Sequence, residues 1–289
     1  VRAAQRRRLL RHRRPGPPPP RRRPRSRPLA AGNRDSGYFA SARPRVLAHR
    51  GLAVDAPENT LLAFAKALAA GAQYVETDVH ASADGVAIIS HDPDLRRLAG
   101  RDIRVSQLTR AELAGVDLGE GQSFATLQEA LEAFPDARFN VDVKSRDAVD
   151  AAASAIRAAK ATSRVLVTSF DDATRKAAVA ALGGTGAVAT SASQRGVVWA
   201  LVGARLGLGF VVRAALKGVD AVQVPERQGP LRVVTPRFVD AVRKAGVEVH
   251  VWTVNDEDDM RRLIVLGVDG IVSDRADLAV NVVRDLANP

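Results

Sequence analysis

The chain has 289 residues, 46% of them hydrophobic, enough for one large core arranged in one or two domains. It has no cysteine, which excludes disulfides and thiolate metal sites and leaves five histidines (His12, His49, His80, His91 and His250) for any imidazole chemistry. The net charge of +11 is concentrated at one end: residues 1–43 hold 14 of the 43 basic residues and one acid, Asp35, while the remainder sets 29 basic against 31 acidic residues.

Residues 1–43 read as a disordered Arg/Pro-rich tail, because RRRLLRHRRPGPPPPRRRPRSRP has no apolar periodicity with which to offset the entropy of ordering. A polybasic arm for nucleic acid or anionic lipid is the functional alternative. No aromatic residues interleave these arginines, so a specific nucleic-acid partner is not expected. Leu9-Leu10 is too short for the apolar region of a signal peptide.

Residues 44–289 read as one domain in which apolar runs alternate with helical patterns. The predicted strands are 46–49, 74–79, 139–144, 165–169, 186–190, 219–224, 247–253 and 269–273. Helical patterns at 60–70, 126–134, 147–160, 172–182, 196–216, 236–245 and 256–266 separate most of them, with Asn59 as N-cap of the first. Strands separated by helices imply parallel units, and eight of them predict a (β/α)8 TIM barrel. A doubly wound sheet is the alternative, weakened because no Gly-x-Gly-x-x-Gly follows the first strand. The segment 196–216 is apolar, but Arg205 and Arg213 interrupt it. It therefore falls short of the roughly 18 uninterrupted residues of a span and reads as a buried or lid-like helix, or a membrane-surface contact.

One extra strand, 86–90, lies too close to its predecessor for a crossover helix, and Asp84-Gly85 is a hairpin turn. A β-hairpin inserted after the second strand follows, with Asp78 opposite His91. Strand alternation puts Glu76, Asp78 and His80 on one face, and Asn140, Asp142 and Lys144 on one face of the next barrel strand. Both sets lie toward the C-terminal ends of strands, where barrel active sites form.

Three carboxylates, Glu76, Asp78 and Asp142, thus converge. Like charges that close repel one another unless a cation intervenes, and an all-oxygen set suits Ca²⁺ or Mg²⁺. The same set also reads as a buried ion network with Arg50 and Lys144. His49 and His91 are the candidates for general acid and base. Arg50 and Lys144 suit an anion, most naturally a phosphate. Trp252 reads as a substrate-packing residue or core filling, His80 as an outer hydrogen-bonder or a structural residue, Glu58 as orienting Arg50 or His49 or as part of a PENT segment that simply opens a helix, and His250 as a satisfied core histidine.

HRG at 49–51, PENT at 57–60, ETDVH at 76–80, DG at 84–85, HD at 91–92, NVDVK at 140–144, VWTVN at 251–255 and GVDGIVSDRAD at 267–277 together resemble the motif series of glycerophosphodiester phosphodiesterases. The resemblance implies a TIM barrel that hydrolyses glycerophosphodiesters to glycerol 3-phosphate and an alcohol with a divalent metal. It implies His49 and His91 as the acid–base pair, Glu76 and Asp78 as metal ligands, and Arg50 and Lys144 as phosphate contacts. The third ligand of the family is usually Glu, where this chain has Asp142, a carboxylate retracted by about 1.5 Å. A phospholipase D-like hydrolase acting on lysophospholipid head groups, and a non-catalytic polyanion-binding protein using the Arg tail, are the competing readings. The expected location is cytoplasmic or membrane-peripheral, and the sequence leaves the oligomeric state open.

Overall fold

The structure, a computed structural model, describes residues 37–287. The tail expected to be disordered lies, through residue 36, outside the described residues. In chain order the strands are β1 (Arg45–His49), β2 (Tyr74–Ala81), β3 (Ala87–Ile89), β4 (Arg138–Val143), β5 (Val165–Thr168), β6 (Ala189–Thr190), β7 (Ala221–Pro225), β8 (Arg227–Gln228), β9 (Leu231–Arg232), β10 (Glu248–Trp252) and β11 (Gly270–Ser273). Eight of them form a parallel wall in the order β6-β5-β4-β2-β1-β11-β10-β7. A bridge between Ser191 and Ala221 brings the two ends of that wall together, so the ring is a TIM barrel and not a doubly wound sheet.

Alternation along the strands decides what faces where. Val75, Val79, Phe139, Val141 and Val143 point outward and pack with Phe64, Leu127 and Ile156 of the helical layer. Their neighbours Glu76, Asp78 and Asp142 are left facing into the barrel. The parallel register sets Glu76 beside His49 on one side and Asn140 on the other, and Asp78 beside Asp142.

The floor of the barrel begins earlier than the composition suggested. Residues 37–43, grouped with the tail by their neighbours' charge, are folded: Tyr38 and Phe39 are buried with Leu47, Tyr74, Leu166 and Val272. Burial of each ring is worth roughly 1.5–3 kcal/mol, which explains why residues 37–43 belong to the fold. Arg45 passes between Phe39 and Tyr74 and is paired with buried Glu248 at 2.9 Å. His250 is the core histidine expected, bonded to Glu248 at 3.1 Å.

Three other local expectations change. The hairpin is present, but its pairs are Val79 with Ile89, His80 with Ile88 and Ala81 with Ala87, so Asp78 meets Ser90 and not His91. The turn has three residues, 83–85, because Ser82 Oγ accepts from Val86 N at 2.9 Å and donates to Asp84 Oδ1 at 2.6 Å. Gly85, at φ 76°, supplies the left-handed position such a turn requires. The first helix, Leu61–Ala69, is capped by Thr60, whose side chain accepts from Ala63 N, and not by Asn59. The 196–216 segment is two helices, Gln194–Leu206 and Gly209–Ala215, broken at Gly207 in the left-handed conformation. No helix among the described residues is long and apolar enough to cross a membrane.

Between the hairpin and β4 the chain builds an insertion with its own small core. Leu95, Val105, Leu108, Leu113, Val116 and Phe124 gather on Ile88 of β3. This lays residues 93–125 beside the barrel rim.

Candidate active site

A cavity of about 560 Å³ opens at the C-terminal rim, and it is lined by His49, Arg50, Glu76, Asp78, His91, Asp142, Lys144 and Trp252. All eight were singled out from the sequence. Glu58 and His80, expected behind them, are behind them: Glu58 accepts from Arg50 Nη1 at 3.0 Å, and His80 Nε2 donates to the His91 carbonyl at 3.2 Å. Burial lowers the His80 pKa, favouring the neutral ring.

His49 ends β1. Its Nδ1 donates to Asp274 Oδ1 at 2.6 Å, which leaves Nε2 as the nitrogen free to work, 3.9 Å from Glu76 Oε2. Burial opposes its charge, but the Asp274 bond and the Glu76 carboxylate outweigh burial and raise its pKa. Asp274 follows β11 directly and is itself held by Asn255 Nδ2 at 2.8 Å. His91 has the same arrangement: Nδ1 donates to Asp92 Oδ1 at 2.8 Å.

The chain turns sharply after His49. Arg50 has φ 55° and Gly51 φ 87°, and a Cβ at Gly51 would stand 2.7 Å from the Ala63 backbone. The turn thus needs glycine, and it points Arg50 N at the Glu76 carbonyl (2.9 Å) and at Glu76 Oε2 (3.2 Å).

The three carboxylates differ in their surroundings. Burial and then the adjacent Asp78 push the Glu76 pKa up to about 8. Asp78 is pulled below its usual range despite burial, because Lys144 Nζ stands 2.6 Å away and Asn59 Nδ2 donates at 3.1 Å. Asp142 shares the same ammonium at 2.7 Å, yet burial prevails and its pKa is raised. Between the two acids Lys144 stays charged: burial opposes the ammonium, and Asp142 and Asp78 more than offset it.

Two buried polar atoms of this cavity's residues make no hydrogen bond: Asp142 Oδ1, an acceptor, and Arg50 Nε, a donor that stands 3.5 Å from Asp78 Oδ2 in an ion pair. The first suits a cation and the second an anion. As the side chains stand, no three His, Asp or Glu groups among the described residues are arranged to hold a metal ion, and Lys144 bridges two of the expected ligands. The donor set nonetheless fits a hard divalent cation in chemistry: three buried carboxylates, one of them with an oxygen that makes no hydrogen bond, and two of them, Glu76 and Asp142, with proton affinity raised by burial and by adjacent carboxylates.

Sequence reasoning missed four residues of the site. Asp274 and Asn255 lie at strand ends, a position that itself marked them. Asn59 bridges Thr77 Oγ1 and Asp78. Arg97, on the insertion, donates to Asp92 Oδ2 and to Glu58 Oε1, both at 2.6 Å, and so ties the partner of His91 to the partner of Arg50.

A (β/α)8 barrel with paired histidines, acids and cations at its C-terminal rim defines the chain as a barrel enzyme. It belongs to the glycerophosphoryl diester phosphodiesterase family, whose model matches residues 49–278. The "Probable glycerophosphodiester phosphodiesterase 2" of Mycobacterium tuberculosis is 39% identical over 80% of this chain and 88% of that one. A lysophospholipase D of Rattus norvegicus is 25% identical over 80% of this chain and 83% of its own length. The crystal structure of a glycerophosphodiester phosphodiesterase from Thermotoga maritima superposes with a TM-score of 0.66 at 29% identity, covering 83% of this chain and 99% of that one.

Proposed function

We propose that the chain hydrolyses glycerophosphodiesters to glycerol 3-phosphate and an alcohol, with His49 and His91 as the acid–base pair. The observation that carries this reading is the coexistence, among the residues of one cavity, of a buried guanidinium donor, Arg50 Nε, and a buried carboxylate acceptor, Asp142 Oδ1, neither of which makes a hydrogen bond. A phosphate diester accompanied by a divalent cation satisfies both. Glu76, Asp78 and Asp142 would hold Ca²⁺ or Mg²⁺, which supplies positive charge for the phosphoryl oxygens.

The chain's own groups account for the proton traffic. Arg50 and Lys144 hold non-bridging phosphate oxygens. One imidazole takes at Nε2 the proton of the nucleophile, which is water or the substrate's glycerol hydroxyl. As the new P–O bond forms, the P–O bond to the alcohol breaks, and the other imidazolium gives its Nε2 proton to the leaving alkoxide. Where the glycerol hydroxyl attacks, the product of this step is a cyclic phosphate, and water then opens it to glycerol 3-phosphate, one ring P–O bond breaking as the new one forms and the two imidazoles exchanging roles. Asp274 and Asp92 keep each ring's Nδ1 protonated. Trp252, 6.2 Å edge-on from Phe170, packs the carbon skeleton.

The test is release of glycerol 3-phosphate from several head groups, with and without chelator. Chelation should abolish turnover and added Ca²⁺ or Mg²⁺ restore it. His49→Ala and His91→Ala should each lose about 10²–10⁴-fold. Near-normal turnover in both variants refutes the assignment. A second reading, head-group hydrolysis of lysophospholipids, is favoured by the apolar cavity wall of Phe170, Val197, Val198 and Leu201. Preference for lysophosphatidylcholine over glycerophosphocholine would select it.

A further inference from the structure

The helix pair Gln194–Leu206 and Gly209–Ala215 presents an apolar surface to solvent. Val198, Trp199, Val202, Leu206, Leu208 and Phe210 are exposed, with Trp199 at 52%, Leu206 at 67% and Phe210 at 64%. On the first helix, Val198, Val202 and Leu206 recur every four residues, so they form a stripe. The opposite side holds Ala200, Gly203 and Ala204, buried against the fold, which fixes the stripe outward. The stripe is continuous with the active-site lip, because Val198 lines the cavity and is also 50% exposed.

The charge around it is predominantly basic. From residue 173 to 219 the sequence contains no Asp or Glu, while Arg195, Arg205, Arg213 and Lys217 all fall within the helix pair or just after it. A cleft of about 360 Å³ against the following helix, Pro236–Lys244, adds Arg237 and Lys244 to Arg205 and Arg213, with Asp240 its only acid.

From this juxtaposition of exposed apolar stripe and predominantly basic flank we infer that the helix pair docks the enzyme on an anionic lipid surface, with the cavity lip against the head groups. Trp and Phe side chains insert at the level of the acyl boundary, and the arginines reach lipid phosphates. A second copy of this chain is the poorer occupant: a two-fold contact sets the same patch against itself and brings like charges together. The inference stands apart from the reaction assigned above.

The Arg-rich tail would also bind anionic vesicles, so the test must read the stripe itself. The chain has two tryptophans, Trp199 and Trp252. Full-length protein is titrated with vesicles of phosphatidylcholine and phosphatidylglycerol in equal parts, carrying brominated acyl chains, while tryptophan emission is followed. Quenching is expected with these vesicles, much less with phosphatidylcholine alone, and none in Trp199→Phe. The pair Trp199→Ser and Phe210→Ser should weaken vesicle partitioning on the order of tenfold or more at an unchanged melting temperature. Vesicle binding without quenching, quenching that survives Trp199→Phe, or a dimer in sedimentation with no quenching would each overturn the inference.

Discussion

Asp274→Asn isolates what orients His49. Asn255 Oδ1 accepts from the backbone N–H of Asp274 at 2.9 Å and from Ser273 Oγ at 3.1 Å, so its Nδ2 must face Asp274 Oδ2, which it does at 2.8 Å. An asparagine at 274 therefore has to turn its carbonyl toward Asn255. Its NH₂ then faces His49 Nδ1, where the carboxylate had accepted at 2.6 Å. Two donors cannot share that contact, and the ring shifts its proton to Nε2. The working nitrogen is then blocked as a base, and as an acid it loses a charge-assisted hydrogen bond worth about 1.5–3 kcal/mol. We expect turnover to fall about 10²–10⁴-fold, with KM changed little because Asp274 does not line the substrate cavity. Steady-state kinetics gives the first quantity, and ¹⁵N chemical shifts of His49 give the tautomer. Adding Asn255→Asp reverses the amide, restores Nδ1–H and should recover at least about tenfold of the loss. Asp274→Asn with turnover within about twofold of the parent, or a swapped pair no better than the single variant, would show that the tautomer is not what matters.

The remaining expectations concern the supports of the site. Arg97→Gln severs Asp92 from Glu58, and should cost about tenfold in turnover but, with the Arg97 side chain half exposed, no more than about 1 kcal/mol of stability by chemical denaturation. Gly51→Ala meets the Ala63 backbone at a positive φ and should destabilise by at least ~2 kcal/mol, read as a melting point lower by several degrees. Buried Glu248 has its pKa lowered to about 2 because its hydrogen bonds from His250 and Arg45 outweigh burial. A depressed carboxylate stabilises the fold above its unfolded pKa of about 4.5 and loses that contribution as pH falls toward about 2, here about 3 kcal/mol. Glu248→Gln should therefore melt lower than the parent at neutral pH, with the gap closing on acidification; equal melting at pH 7 would contradict the ion-pair account.

Strand alternation made the barrel and most of its rim legible in the sequence, because inward acids on β2 and β4 break an otherwise apolar pattern. Periodicity fails where a side chain alters the backbone. Ser82 lengthens the hairpin turn by one residue, and the resulting shift in register moves the hairpin partner of Asp78 from His91 to Ser90. It also fails where contacts span the chain: His49 meets Asp274 across 225 residues, and no local pattern links them. Residues 37–43 were hidden by the charge of the tail beside them, although Tyr38 and Phe39 are themselves apolar signals.

The two histidines are supported by different parts of the molecule, which has a consequence for how the site responds to damage. His49 is tied to the barrel itself, through Asp274 after β11 and the register of β1 with β2. His91 depends on the hairpin and on the insertion core built on Ile88, and the link between the two supports is the path from Asp92 through Arg97 and Glu58 to Arg50. Loosening the insertion, for example by truncating Leu113, should therefore displace His91 and Arg97 while leaving the His49–Asp274 pair in place. Activity would be lost before the barrel melts, and hydrogen exchange should rise across residues 93–125 ahead of β1 and β11. Uniform exchange across both regions would mean that the insertion and the barrel open as one unit, and that the rim is not assembled from two separately stable halves.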